Sequence, residues 1–202
     1  MNFAGVKMLC EKGLPTFENL IFFRNLSELS DNFLETYGSK KVWAIAGQDD
    51  RVKLEDNPYA IKKFRALPLE KDLLEKEYSR LNNEMARFNI PRENRIFAVW
   101  KCFGKDNTTF TGIAWYTDNH IFFDIFEGLR PSGDWESWTP HYSEKIPIIN
   151  GRAYFGSLVN FKYEDVLRKI ASDILFSLFQ GAYLDFAMTD EVHLLYHDLS
   201  LH

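Results

Sequence analysis

Between Ile96 and Glu127 large apolar side chains recur with the two-residue period of a pleated strand, broken twice by short polar clusters. Ile96–Phe103, Thr109–Tyr116 and His120–Glu127 are separated by Gly104-Lys105-Asp106-Asn107 and by Thr117-Asp118-Asn119, both with the composition of turns. Three strands joined so briefly are expected to form an antiparallel meander. Phe97, Val99 and Phe103 alternate with Ile96, Ala98 and Trp100, so both faces are apolar and both need cover. With 18 Phe, 9 Tyr and 5 Trp, aromatic residues reach 16% of the chain, which suits half-buried pleated surfaces.

Helical patterns supply that cover. Leu74, Tyr78, Leu81, Met85 and Phe88 form one stripe within 69–88, and Tyr163, Val166, Leu167, Ile170, Ala171, Ile174, Leu175 and Leu178 form another within 163–180. Phe176 and Phe179 make the end of the second helix apolar nearly all round, which predicts deep burial there. Shorter helices are expected from Ser27 to Tyr37 and, behind the cap Asn57-Pro58, to about Ala66. Strands are expected at Leu20–Phe23, Lys41–Ala46 and Ala153–Phe161, with a closing hairpin of Tyr183–Met188 and Glu191–Asp198 about Thr189-Asp190. The fold class that follows is α+β: an antiparallel or mixed, aromatic-rich sheet of about six to eight strands carrying three to four helices. A single domain over 1–202 is expected, helix-rich through 1–90 and sheet-rich through 94–202, with a long loop at 128–151.

Composition excludes several functions. A net charge of −5 and the lack of an extended basic cluster beyond Lys62-Lys63-Phe64-Arg65 argue against a nucleic-acid partner. Cys10 and Cys102 stand far apart, with no Cys/His metal spacing and no disulfide framework. No membrane span or signal-peptide run is visible, so a cytoplasmic, soluble protein without cofactor or metal is the expectation.

Functional side chains concentrate between His120 and His141. His120 and Asp124 share one face of a strand, but four strand residues span roughly 13 Å, beyond direct contact. Arg130, Asp134, Trp135, Glu136, Trp138 and His141 occupy the long loop, whose two indoles suit either a core anchor or a recognition surface. His193 and His197 are likewise four apart on the last strand, too distant to chelate one ion there. Phosphate-binding glycine loops, nucleophile elbows and zinc signatures are absent. The expected function is therefore a non-enzymatic protein-binding or regulatory module of the inhibitor or immunity type. In that reading Arg130, Asp134, Trp135, Glu136, Trp138 and His141 engage a protein partner, a basic one suiting the negative charge. The alternative is a small hydrolase or transferase whose His120, Asp124, Asp134, Glu136 and His141 converge in a cleft.

Overall fold

The computed structural model describes residues 1–17, 19–29, 42–56, 65–68, 70–101, 108–128, 139–156, 163–190 and 193–201. Its elements are α1 (Phe3–Glu11), β1 (Ile21–Phe23), β2 (Val42–Asp49), β3 (Arg65–Pro68), α2 (Lys71–Arg87), β4 (Arg95–Lys101), β5 (Thr108–Tyr116), β6 (His120–Glu127), β7 (Tyr142–Ile149), β8 (Arg152–Ala153), α3 (Glu164–Ser177), β9 (Ala182–Thr189) and β10 (Leu194–Leu201). The expected α+β class holds: among the described residues three helices pack on antiparallel strands rich in aromatics. The strands divide into a four-stranded sheet ordered β1-β4-β2-β3 and a six-stranded sheet ordered β10-β9-β5-β6-β7-β8.

In the first sheet α2 lays Leu74, Leu81 and Met85 against Phe23, Trp43, Ile45, Phe97 and Val99. Gly47 keeps this contact close, since a Cβ there would lie 3.0 Å from the Met85 sulfur. The other face is lined by Ala44, Ala46, Ile96, Ala98 and Trp100, and Phe3 of α1 packs into it beside Phe22 and Phe17. In the second sheet α3 buries Leu167, Ile170, Ala171 and Ile174 against Phe110, Ala114, Phe123, Leu184 and Phe186. Tyr196 of β10 is fully buried and donates its hydroxyl hydrogen to Asp173 of α3 at 2.7 Å. Burial, with the Asp173 carboxylate beside it, pushes that phenol far above its ordinary range.

α1 joins the two halves. Asn2 caps it by accepting from the Ala4 amide, and the Phe3 amide donates to Gln48 Oε1 of β2 at 2.7 Å. Leu9 meanwhile belongs to the core under the six-stranded sheet. Lys7 pairs with Asp50 at 2.8 Å, and Asp50 also holds Arg24.

Four expectations are corrected. The stretch 96–127 is not one meander: β4 pairs with β1 and β2 in the first sheet, while β5 and β6 pair with each other in the second. Alternation records that a strand is covered on both faces but not which strand lies beside it. The segment 128–151 is not wholly loop, because β7 runs through it, pairing Ile146 with Ile121 and Pro147 with His120. Its polar Ser143-Glu144-Lys145 and its proline hide the strand pattern. Arg65 and Ala66 continue no helix but form β3 against β2, the rest of that expected helix lying outside the described residues. Phe176 is 89% exposed rather than buried, because it stands about 200° around α3 from Ile174, on the face away from the sheet. The expected helix from Ser27 shows a 3-10 turn at Leu26–Glu28, and residues 30–40 lie outside the description.

Candidate functional site

Strand pairing, rather than any local motif, assembles the most chemically distinctive surface. α1 and α3 cover one face of the six-stranded sheet. Residues in register across β10, β9, β5, β6 and β7 form rows on the opposite face. One row reads Ser200, Tyr183, Trp115, Phe122, Lys145, and its neighbour reads Asp198, Asp185, Ile113, Asp124, Ser143.

The first row is an aromatic ladder. Trp115 stacks on Phe122 with ring centroids 4.8 Å apart and planes 9° from parallel, and on Tyr183 at 6.2 Å and 17°. Lys145 Nζ sits 5.3 Å over the Phe122 ring, closing one end with a cation. All three rings remain partly exposed.

The second row carries carboxylates. Asp185 and Asp198 face each other directly across β9 and β10, while Asp124 lies two strands from Asp185, roughly 10 Å away. Asp124 accepts from the Ser143 hydroxyl at 2.6 Å. Asp198 accepts from the Asn2 amide at 2.5 Å and the Leu199 amide at 3.0 Å, so α1 and β10 together fix it. A β-bulge at His197 creates the opposition: Tyr196 pairs with Phe186, yet Asp198 rather than His197 pairs with Asp185. The bulge lets Tyr196 and Leu199 both enter the core while Asp198 turns to the other face.

Desolvation pushes the His197 imidazole below its ordinary value, against the opposing pull of Asp185 and Asp198. A histidine whose folded pKa is lowered contributes nothing above the unfolded value of about 6.5. Below it the unfolded chain binds the proton more readily, so stability falls as pH drops. Urea unfolding between about pH 7 and pH 5 should therefore show a stability loss that His197→Gln removes. Asp50 acts at lower pH. Burial raises its pKa, but Lys7 and Arg24 outweigh burial and hold it down, so its contribution is lost only in stronger acid.

Among the described residues singled out from the sequence, His120 and His141 stand far apart. His141 is exposed, and its Nδ1 accepts from the Glu127 amide at 3.2 Å, at the far end of β6 from His120. Seven strand positions separate those ends, roughly 20 Å, so His120 and His141 cannot act on one atom. His120 lies against Phe122 at 5.9 Å. Asp124 does belong to the carboxylate row. Arg130, Asp134, Trp135, Glu136 and Trp138 lie outside the described residues. Sequence reading missed Trp115, Tyr183, Asp185 and Asp198. The usable signal was the hairpin register about Thr189-Asp190, but that register places His197 opposite Asp185 unless the bulge is known.

The sequence matches no family model and no curated protein. Solved structures do share the fold. N5-carboxyaminoimidazole synthetase from Staphylococcus aureus complexed with ADP superposes with a TM-score of 0.52 at 12% identity, covering 99% of this chain and 44% of that one. D-alanyl-alanine synthetase A from Vibrio cholerae O1 biovar eltor str. N16961 gives 0.51 at 12% identity, over 99% of this chain and 55% of that one. The chain thus spans about half the length of the proteins it matches. These likenesses overturn the expectation of a non-enzymatic protein-binding or regulatory module. That expectation rested on the lack of a catalytic signature, and the architecture is one that synthetases carry. Among the described residues no helix is long and apolar enough to cross a membrane.

Proposed function

We propose that this chain is an adenine-nucleotide-binding domain of the ATP-grasp ligase kind, the class to which the similar synthetases belong, with the nucleotide seated on the face of the six-stranded sheet opposite α1 and α3. The observation that carries the reading is the juxtaposition, one pleat apart, of the Tyr183–Trp115–Phe122 ladder with the Asp198–Asp185 and Asp124 carboxylates. The similar fold solved with ADP supports it.

The donor set fits such a ligand in parts. An aromatic ladder offers a base a stacking surface worth about 1–3 kcal/mol. Asp185 accepts hydrogen bonds from ribose hydroxyls or an exocyclic amine beside Asp198, whose carboxylate is already held by the Met1 nitrogen and two backbone amides, and Lys145 supplies a cation to phosphate. No group of three His, Cys, Asp or Glu side chains poised for a metal exists among the described residues. A divalent ion accompanying the nucleotide would therefore complete its shell with phosphate oxygens and water, as magnesium does.

Calorimetric titration of ADP and ATP, with and without magnesium, tests the reading. Wild type should bind. Trp115→Ala should weaken binding about 10-fold or more, the equivalent of about 1.4 kcal/mol of lost stacking. Asp185→Asn should abolish the magnesium-dependent part. Failure of wild type to bind any adenine nucleotide, or wild-type affinity in a folded Trp115→Ala variant, would overturn the proposal.

A further inference from the structure

A pocket lies on the smaller sheet, where the turn before β4 meets α2. It encloses about 410 Å³ and is lined by Arg24, Asn25, Tyr78, Asn82, Arg92, Glu93, Arg95 and Phe97. Tyr78 and Phe97, with ring centroids 4.5 Å apart, form its apolar wall on the α2 face of the sheet. That face is the reverse of the one that α1 covers, so this pocket is separate from the aromatic ladder.

Its charge is unbalanced. Arg95 is half-buried, and its hydrogen bonds run to the Ile90 carbonyl, the Asn82 carbonyl and Asn82 Oδ1, all neutral acceptors. Those contacts fix the guanidinium without neutralising it. Arg92 is exposed and makes no ion pair among the described residues. Arg24 is committed to Asp50 and to the Glu93 carbonyl, so it closes the rim rather than adding free charge. Glu93 is the lining carboxylate set against these three arginines. Two guanidiniums without carboxylate partners among the described residues, one of them locked in place by backbone carbonyls, make a preorganised anion site. With Asn82 beside Arg95 and an aromatic wall behind, the pocket exceeds what a bare ion needs.

We propose that this pocket binds the phosphate group of a small phosphorylated molecule, with Arg92 and Arg95 as the anion ligands. Inorganic phosphate is the probe. Wild type should bind it saturably in calorimetric titration and gain thermal stability with it, at constant ionic strength set by chloride. Arg92→Ala should weaken phosphate at least 10-fold, and Arg92→Glu should abolish binding, with both variants keeping the wild-type melting temperature because Arg92 makes no ion pair among the described residues. Asn82→Asp, which places a carboxylate on Arg95, is an independent second variant and should also abolish binding. Asp185→Asn should leave phosphate affinity unchanged, separating this pocket from the nucleotide reading. The proposal is overturned if wild type shows no saturable phosphate binding, if folded Arg92→Glu binds as wild type does, or if Asp185→Asn removes the binding.

Discussion

Gly5→Ala should cost about 5 kcal/mol or more, enough to unfold a domain of ordinary stability. A Cβ at position 5 would lie 2.0 Å from the Leu199 carbonyl oxygen and 2.8 Å from its carbonyl carbon. The obstacle is backbone of a paired strand, so no side-chain rotation relieves it. α1 must leave β10, and with it go Phe3, Val6 and Leu9, all buried. Each such side chain contributes about 1.5–3 kcal/mol when taken from water. The helix also carries the Asn2 amide that fixes Asp198 and the Phe3 amide that meets Gln48. Urea denaturation should show a much lower midpoint, and trimming Leu199 to Ala should not restore it, because the carbonyl stays. A midpoint near wild type would mean that α1 is not held as described.

Gly112→Ala is the second large effect, and it differs in kind. The added methyl would meet Phe186 Cζ at 2.3 Å and the Asp124 carbonyl oxygen at 2.9 Å, in the middle of the six-stranded sheet. Overpacking of this sort costs about 1–3 kcal/mol, and the upper end is expected because Phe186 is fully enclosed. Here the nearest obstacle is the end of a ring. Phe186→Leu placed on top of Gly112→Ala should therefore recover part of the loss, although Phe186→Leu alone destabilises. That sign of coupling is what contacting residues give in a double-mutant cycle. Additive losses would refute the close approach. The Ala variant should also disturb the ladder, since Gly112 lies between Thr111 and Ile113 of β5, three positions from Trp115.

The two glycines show what pattern reading misses. Gly5 looks like a weak point in a helix and Gly112 like one in a strand, yet each is where another chain segment comes within a methyl's width. Other features were plain. The stripe Leu74, Leu81, Met85 and the stripe Leu167, Ile170, Ala171, Ile174 are buried as their 3.6-residue spacing requires. The turn Thr117-Asp118-Asn119 joins β5 to β6, with the Thr117 amide donating to the His120 carbonyl. The Thr189-Asp190 turn joins β9 to β10.

Asp198 marks the limit. By alternation from Leu194 and Tyr196 it belongs on the core side of β10, and only the bulge at His197 sends it to the other face opposite Asp185. A bulge is chosen by what both sides of the strand must bury, here Tyr196 against Asp173 and Leu199 beneath α1. Trp135 and Trp138 stand out in the sequence because indoles in a polar stretch are unusual, whereas Trp115 is one of many aromatics inside a regular strand.

By itself the sequence determined α2, α3 and the strands β4, β5, β6, β9 and β10, with the stripes that bury the two helices, because these follow from periodicity along the chain; it did not show β3, β7 or the exposure of Phe176. The tertiary structure alone decided that β4 would leave β5 for another sheet, and that Tyr183, Trp115 and Phe122 would stack beside Asp198, Asp185 and Asp124. Those side chains come from four strands, and strand order is set by which faces can bury each other across the whole fold rather than by any local spacing.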